Sequence, residues 1–472
     1  MSGRRARTRA LLTVGVWCTC AAASAIAAVA PPADDPVALV RAYFQAEDPV
    51  ARREAAARIA SHRDYRPARL RDWLHGGAPF DDLPPGPREV VVDVGAGQTR
   101  RVSLILPRGY RPGRAWPLVY ALHPSGTPAA EWGRAVERMF GRMARDFVIA
   151  APEYRQNYIA AKPPFLAEHA AILDAVARHV HVDAGRVYAF GYSKGGFGAW
   201  FVALYYPDRI AGAVAMAAGF DVAPADDGFW KLLVRNVAHV PVLNAWGERD
   251  PLAIQDLAEK PLATFAESNR RFEREIRGLG LPITNLEVPG AVHNQLAPPG
   301  AAIVEVVTAR RKTDPGRIDH AFRHLHQASC YWLEGLTWVG ESWGDPWPRP
   351  ETGTPGEPEA AALARALAPR LGRLTGTRDG QAFRVTRRHV GDVVVWLGER
   401  TIDWSRPVTI EVDGTVAFSG RVVPDPALAL ARAAATMDFD DLKLAGVRVS
   451  ASGEATVLTA ETLPEPVWRT GR

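Results

Sequence analysis

Short apolar runs recur through the middle of this chain, each closed by a turn-forming cluster and separated by segments of helical spacing. They are Trp116–His123, Phe147–Ala150, Val187–Gly191, Ile210–Ala218, His239–Trp246 and Ile283–Val288. Continuous apolar runs of this length fit strands buried on both faces, and the helical segments between them fit crossover connections of a mostly parallel sheet. Ahead of them, Glu89–Val94 and Arg101–Leu106 alternate apolar and polar positions and flank Gly95-Ala-Gly97, as an antiparallel hairpin at the sheet edge would. Residues 36–75 carry helical periodicity, with Val37, Leu39, Val40, Tyr43 and Phe44 on one face, and are expected to pack on the sheet domain as an N-terminal appendage.

After about residue 312 the period changes. Cys330–Trp338 is aromatic and strand-like, a Pro/Gly/Glu-rich stretch covers 345–358, and a helix is expected over 359–371. Alternating strands follow at Ala382–Thr386, Val393–Leu397, Val408–Val412 and Thr415–Phe418, the last two joined by the Asp413-Gly414 turn. This divides the chain into 1–30, a helical segment 31–87, an α/β domain 88–312, an aromatic bridging segment and linker 313–372, and a β-rich domain 373–460. The tryptophans of 332–347 fit either sugar stacking or packing between domains.

The candidate chemistry sits at Gly191-Tyr-Ser193-Lys-Gly195, where the Val187–Gly191 strand must turn sharply into the helix marked by Phe197, Ala199, Trp200, Val202 and Ala203. A serine on such an elbow projects above the sheet edge, and the positions two residues either side must lack side chains. With 41 glycines among 472 residues the five-residue pattern alone carries little weight. Gly340-Glu-Ser342-Trp-Gly344 repeats it, but Pro346 and Pro348 follow at once and exclude a helix there.

A serine hydroxyl needs a base, and the base an orienting acid. In a doubly wound hydrolase sheet they follow the serine in the order acid, then histidine, each beyond a later strand. Asp250 lies in Gly247-Glu-Arg-Asp250-Pro after one strand, and His293 in Pro289-Gly-Ala-Val-His293 after the next. Glu248 is another carboxylate in reach, as are Asp221, Asp226 and Asp227 after the earlier strand. The oxyanion donors expected are the N–H of Lys194 and an N–H from the loop after Trp116–His123. Tyr192 and Tyr154 stand where they could touch substrate. The Lys194 side chain reads either as solvated or as attracting an anionic substrate.

These stretches, together with Leu106-Pro-Arg-Gly-Tyr110, resemble the α/β-hydrolase superfamily, and more closely its secreted esterase and prolyl-oligopeptidase-like members, over residues 88–310. The resemblance implies an α/β fold, a mostly parallel sheet flanked by helices, and a Ser193–His293–Asp250 triad that forms an acyl-enzyme without a cofactor. Where the family usually has His-Gly, this chain has His123-Pro124. Proline has no N–H to donate, so the second oxyanion donor is expected to be Ser125, with Gly126 as the alternative. About sixty residues ahead of the α/β domain are too few for a substrate-screening propeller. That favours a carboxylic esterase over a peptidase; an inactive scaffold that binds glycan is the third reading. Expected substrates are small-molecule or polysaccharide-linked esters.

Charge and cysteines narrow the setting. Arg4, Arg5, Arg7 and Arg9 precede an apolar, alanine-rich run from Ala10 to Ala30, the pattern of a cleaved signal peptide, with a retained membrane anchor as the competing reading. These arginines account for four of the five net positive charges, so the remainder, at +1, offers no electrostatic basis for binding nucleic acid. A secreted or periplasmic protein with no stable membrane span follows. Only Cys330 lies beyond the leader, which excludes an intrachain disulfide and a cysteine metal site. His320, His324 and His326 lack the nearby carboxylates that would complete a metal set.

Overall fold

The computed structural model describes residues 35–95, 97–154, 163–220, 229–251, 264–340 and 365–467. The expected leader, the other carboxylates Asp221, Asp226 and Asp227, residues 341–344 of the second Gly-x-Ser-x-Gly and the 345–358 linker lie outside these residues. Three helices open the described chain: α1 (Pro36–Gln45), α2 (Pro49–Ala60) and α3 (Pro67–Gly77). Each begins on proline, whose missing N–H costs nothing in the first turn. Asp35 and Asp48 cap the first two by accepting from backbone N–H groups.

An eight-stranded sheet follows: β1 (Gly86–Gly95), β2 (Gln98–Leu106), β3 (Trp116–Leu122), β4 (Val148–Pro152), β5 (Val182–Tyr192), β6 (Gly212–Met216), β7 (Val242–Gly247) and β8 (Ile283–Val288). Its order is β1-β2-β4-β3-β5-β6-β7-β8. β1 pairs with β2 and β2 with β4 antiparallel; all later pairs are parallel. The helices between are α4 (Ala129–Phe140), α5 (Pro163–His179), α6 (Lys194–Tyr205), α7 (Phe229–Leu233), α8 (Phe265–Ile276) and α9 (Gly300–Val307). Every residue of β3, β4, β6 and β7 is buried, because helices cover both faces of the sheet. One apolar core, with Val176, Trp200 and Phe272, lies on one face; the other, with Val136, Phe190 and Ile303, lies opposite. This strand order, with only β2 reversed against its neighbours, defines the α/β-hydrolase fold.

The remainder forms two five-stranded sheets packed face to face. One has the order β10-β11-β14-β17-β18, the other β16-β15-β13-β12-β9. The strands are β9 (Arg317–Phe322), β10 (Ser329–Cys330), β11 (Leu333–Gly335), β12 (Gly372–Asp379), β13 (Ala382–Arg388), β14 (Val393–Gly398), β15 (Val408–Val412), β16 (Thr415–Gly420), β17 (Lys443–Val449) and β18 (Ala455–Val457). The stretch expected to bridge the domains therefore supplies three strands of this sandwich. β9 pairs with β12 and β11 with β14, both antiparallel. Trp332 is buried in the sandwich core and its Nε1 donates to the Pro315 carbonyl, so it presents no sugar-stacking face. Trp338 stacks on His389 at 5.7 Å. Of the helix expected over 359–371, the described end is helical at 365–367 and closes in a 3-10 turn, Ala368–Arg370.

The N-terminal helices depart from expectation in what they cover. Their apolar faces, through Leu39, Tyr43, Ile59 and Leu74, meet an additional helix, α10 (Pro426–Thr436), and Phe439 and Leu444 after it. They dock chiefly on the C-terminal region rather than on the hydrolase body. Asp425-Pro426 caps α10 in the manner of Asp35-Pro36 and Asp48-Pro49, a legible start signal that the run of alternating strands obscured. Polar contacts shielded from water tie the parts. Arg311, between α9 and β9, donates to Asp438 at 2.5 Å, and Asn236 exchanges bonds with both backbone groups of Ala321. Among the described residues no helix is long and apolar enough to cross a membrane.

Candidate active site

Ser193 occupies the single step between β5 and α6 with φ 53° and ψ −119°. This conformation is costly for any residue with a Cβ and persists only where the surroundings impose it. They do so here. Ser193 N–H donates to the Met216 carbonyl at 2.7 Å, and Phe197 N–H to the Ser193 carbonyl at 3.1 Å, which starts the helix. A Cβ on Gly191 would fall 1.8 Å from the Gly195 carbonyl oxygen, and one on Gly195 would fall 1.8 Å from that of Leu122. The two glycines are thus demanded by backbone crossing backbone.

Two loops at the same sheet edge deliver the partners. The turn after β7 is zipped to the loop after β8: Glu248 N–H donates to the Val288 carbonyl at 3.0 Å and Arg249 N–H to that of Ala291 at 2.9 Å. Asp250 and His293, 43 residues apart, are both buried where these loops meet. His293 Nδ1 lies 2.7 Å from Asp250 Oδ2, and its Nε2 lies 2.8 Å from Ser193 Oγ. An ionised carboxylate only accepts, so Nδ1 carries the proton and Nε2 presents its lone pair to the serine hydroxyl. The structure thus brings the three residues into one hydrogen-bonded succession able to remove a proton from Ser193. The competing carboxylate, Glu248, accepts from Gly290 N–H at 2.6 Å.

The loop after β3 carries Ser125 and Gly126, both exposed, Gly126 at φ 77°. Lys194 begins α6, where a helix N-terminus favours developing negative charge. His123 Nδ1 donates to the Pro124 carbonyl at 2.9 Å, and its ring lies 3.8 Å from the Tyr154 ring, nearly parallel. Burial holds the His123 pKa below the usual range, so the ring is a neutral packing element.

Both tyrosines expected at the substrate turn their hydroxyls onto the scaffold instead. Tyr154 donates to the His123 carbonyl at the head of the loop after β3, and Tyr192 donates to the carbonyl of His293. The Lys194 ammonium lies over the Tyr154 ring at 5.6 Å, and burial lowers its pKa. Its side chain is therefore partly packed, not freely solvated.

A buried amide network that sequence reasoning missed supports the same edge. Asn244 in β7 accepts from Trp200 Nε1 and donates to Asn269 at 2.9 Å and Asn285 at 3.0 Å. It joins the elbow helix to the strands ahead of Asp250 and His293. An asparagine inside an apolar strand pattern was the available signal. Among the described residues no group of three or more His, Cys, Asp or Glu could hold a metal ion.

Fold and geometry together define an α/β-hydrolase fold with a serine, a histidine and a buried carboxylate aligned at the strand ends. The chain is 31% identical over 195 residues to a putative esterase, NocK, of Nocardia uniformis subsp. tsuyamanensis, a match covering 37% of this chain and 51% of that protein. It thus spans about half the length of that curated relative. Among solved structures it is similar to a thermostable esterase at 20% identity and TM-score 0.38, covering 48% of this chain and 63% of that one. It is also similar to the S-formylglutathione hydrolase of Staphylococcus aureus at 16% identity and TM-score 0.37, covering 47% of this chain and 97% of that one. No protein-family model matches the chain.

Proposed function

We propose that this protein is an exported serine hydrolase that cleaves carboxylic esters through an acyl-enzyme. The observation that carries the reading is the hydrogen-bonded succession Ser193–His293–Asp250 on a strained elbow. The esterase relative supports the ester as the bond attacked. In the first half-reaction the Ser193 Oγ–H proton passes to His293 Nε2 as the Oγ–C bond forms. The N–H of Lys194 and that of Ser125 or Gly126 stabilise the oxyanion. His293 then protonates the departing alkoxide as the C–O bond breaks, and water repeats the sequence to release the acid. Small-molecule or polysaccharide-linked esters are the proposed substrates, and the basic, apolar leader supports export.

The test is hydrolysis of p-nitrophenyl esters from acetate to octanoate by residues 31–472 and by Ser193→Ala. Loss of about 10^4-fold or more in kcat in the variant is expected, and the chain-length optimum sizes the acyl site. Wild type and variant matching at background would refute the reading. Faster turnover of aminoacyl anilides than of esters would replace it with a peptidase.

A further inference from the structure

Tyr192 and Ser193 are consecutive, and both bond to the same residue. Ser193 Oγ meets His293 Nε2 from one side, while the Tyr192 hydroxyl donates to the His293 main-chain carbonyl. That carbonyl belongs to the first residue of the 3-10 turn His293–Gln295, so the hydroxyl anchors the turn where the imidazole leaves it. The ring that carries it is fixed in turn. It sits edge-on to Trp132 of α4 at 6.0 Å and to the His293 imidazole at 6.1 Å. On the amino-terminal side, Glu248 and Arg249 hold the loop at Val288, Gly290 and Ala291. On the other side, Tyr192 reaches the loop from the elbow itself.

We infer that Tyr192 is a positioning residue that holds His293 to the nucleophile elbow, setting the height of Nε2 above Ser193 Oγ and above the leaving oxygen. The inference rests on the hydrolase reading proposed above. Its physical content is that one dipeptide carries both the nucleophile and the anchor of the base, so that motion of the elbow and of the histidine is shared. Displacing a general acid–base by a fraction of an ångström costs rate without weakening ground-state binding. The loss depends on the leaving group. In acylation p-nitrophenolate departs without a proton, so there only the attack step feels a misplaced Nε2. An alkoxide needs its proton from His293, so both proton transfers suffer.

The experiment compares wild type, Ser193→Ala and Tyr192→Phe on p-nitrophenyl acetate and on an alkyl acetate, with thermal midpoints measured alongside. Tyr192→Phe keeps the packed ring and removes only the hydroxyl. Its expected kcat/KM, which reports acylation, falls about 10-fold on the aryl ester and about 100-fold on the alkyl ester. Equal losses on both esters, or no loss on either, would overturn the positioning role while Ser193-dependent turnover by wild type kept the hydrolase reading intact. A wild type inactive on both esters would remove the hydrolase reading and this role with it.

Discussion

Glu248 and Gly290 are joined by a 2.6 Å hydrogen bond from the Gly290 N–H to the Glu248 carboxylate, across the gap between the loops that end in Asp250 and His293. Arg270 secures the same corner, with its guanidinium on the Glu287 carboxylate and on the Glu248 carbonyl. Of the two carboxylates in Gly247–Asp250, one therefore ties the loops together and the other faces the imidazole.

That division separates two substitutions of equal size. Asp250→Asn keeps the shape but offers His293 an amide that can favour the wrong tautomer, and kcat is expected to fall about 10^4-fold. Glu248→Gln retains an acceptor for Gly290 N–H and should cost about 10-fold or less. Ester turnover at saturating substrate distinguishes them; a larger loss from Glu248→Gln would make Glu248 the orienting acid.

At the elbow, Gly191→Ala or Gly195→Ala drives a methyl to 1.8 Å from a main-chain carbonyl oxygen that no rotamer change can relieve. A destabilisation of about 3 kcal/mol or more is expected from either, read as a lowered denaturation midpoint with activity lost in parallel. Gly126→Ala is the contrast, because its Cβ meets open space and the cost is confined to a positive φ.

Acid should weaken the fold through buried histidines. Burial pushes His169, His181 and His320 down to about 4. For His320, in β9, desolvation outweighs the opposing pull of the Gln327 carbonyl, to which its Nε2 donates at 2.7 Å. An unfolded histidine titrates near 6.5, so between about 6.5 and 4 the unfolded chain binds protons that the folded chain refuses. Stability therefore rises with pH through that window and is lost as pH falls, by about 1.4 kcal/mol per pH unit for each such histidine. Urea midpoints at pH 7.5 and pH 5 measure the slope, and His169→Gln should flatten it. A midpoint independent of pH would refute the assignment.

Where the sandwich meets the hydrolase, Arg311→Ala leaves the largely buried Asp438 carboxylate without that guanidinium. Removing one partner of such a pair is expected to cost about 3 kcal/mol, in contrast to an exposed pair such as Arg63–Asp64. Chemical denaturation of Arg311→Ala and Arg63→Ala tests the difference, which should persist in high salt because burial excludes screening ions.

The strand runs, their parallel pairing and the elbow were legible in the sequence because their causes are local. An apolar run between turn clusters is a buried strand wherever it falls, and glycines two residues either side of Ser193 answer a steric demand within one turn of chain. The order of Ser193, Asp250 and His293 follows from which strand precedes each. The sequence by itself thus determined the α/β architecture and which residues could stand at its strand ends. Only the tertiary structure decided what each buried face meets and where each polar hydrogen points. The periodicity of α1–α3 says that Leu39 and Leu74 are covered, and is silent on whether α10 or the hydrolase body covers them. The same limit applies to β9, whose partner β12 begins only at Gly372, and to Tyr192, whose hydroxyl finds a carbonyl 101 residues away. Periodicity records that a side chain leaves water; its partner is chosen by packing and hydrogen-bond geometry between segments that only folding brings together.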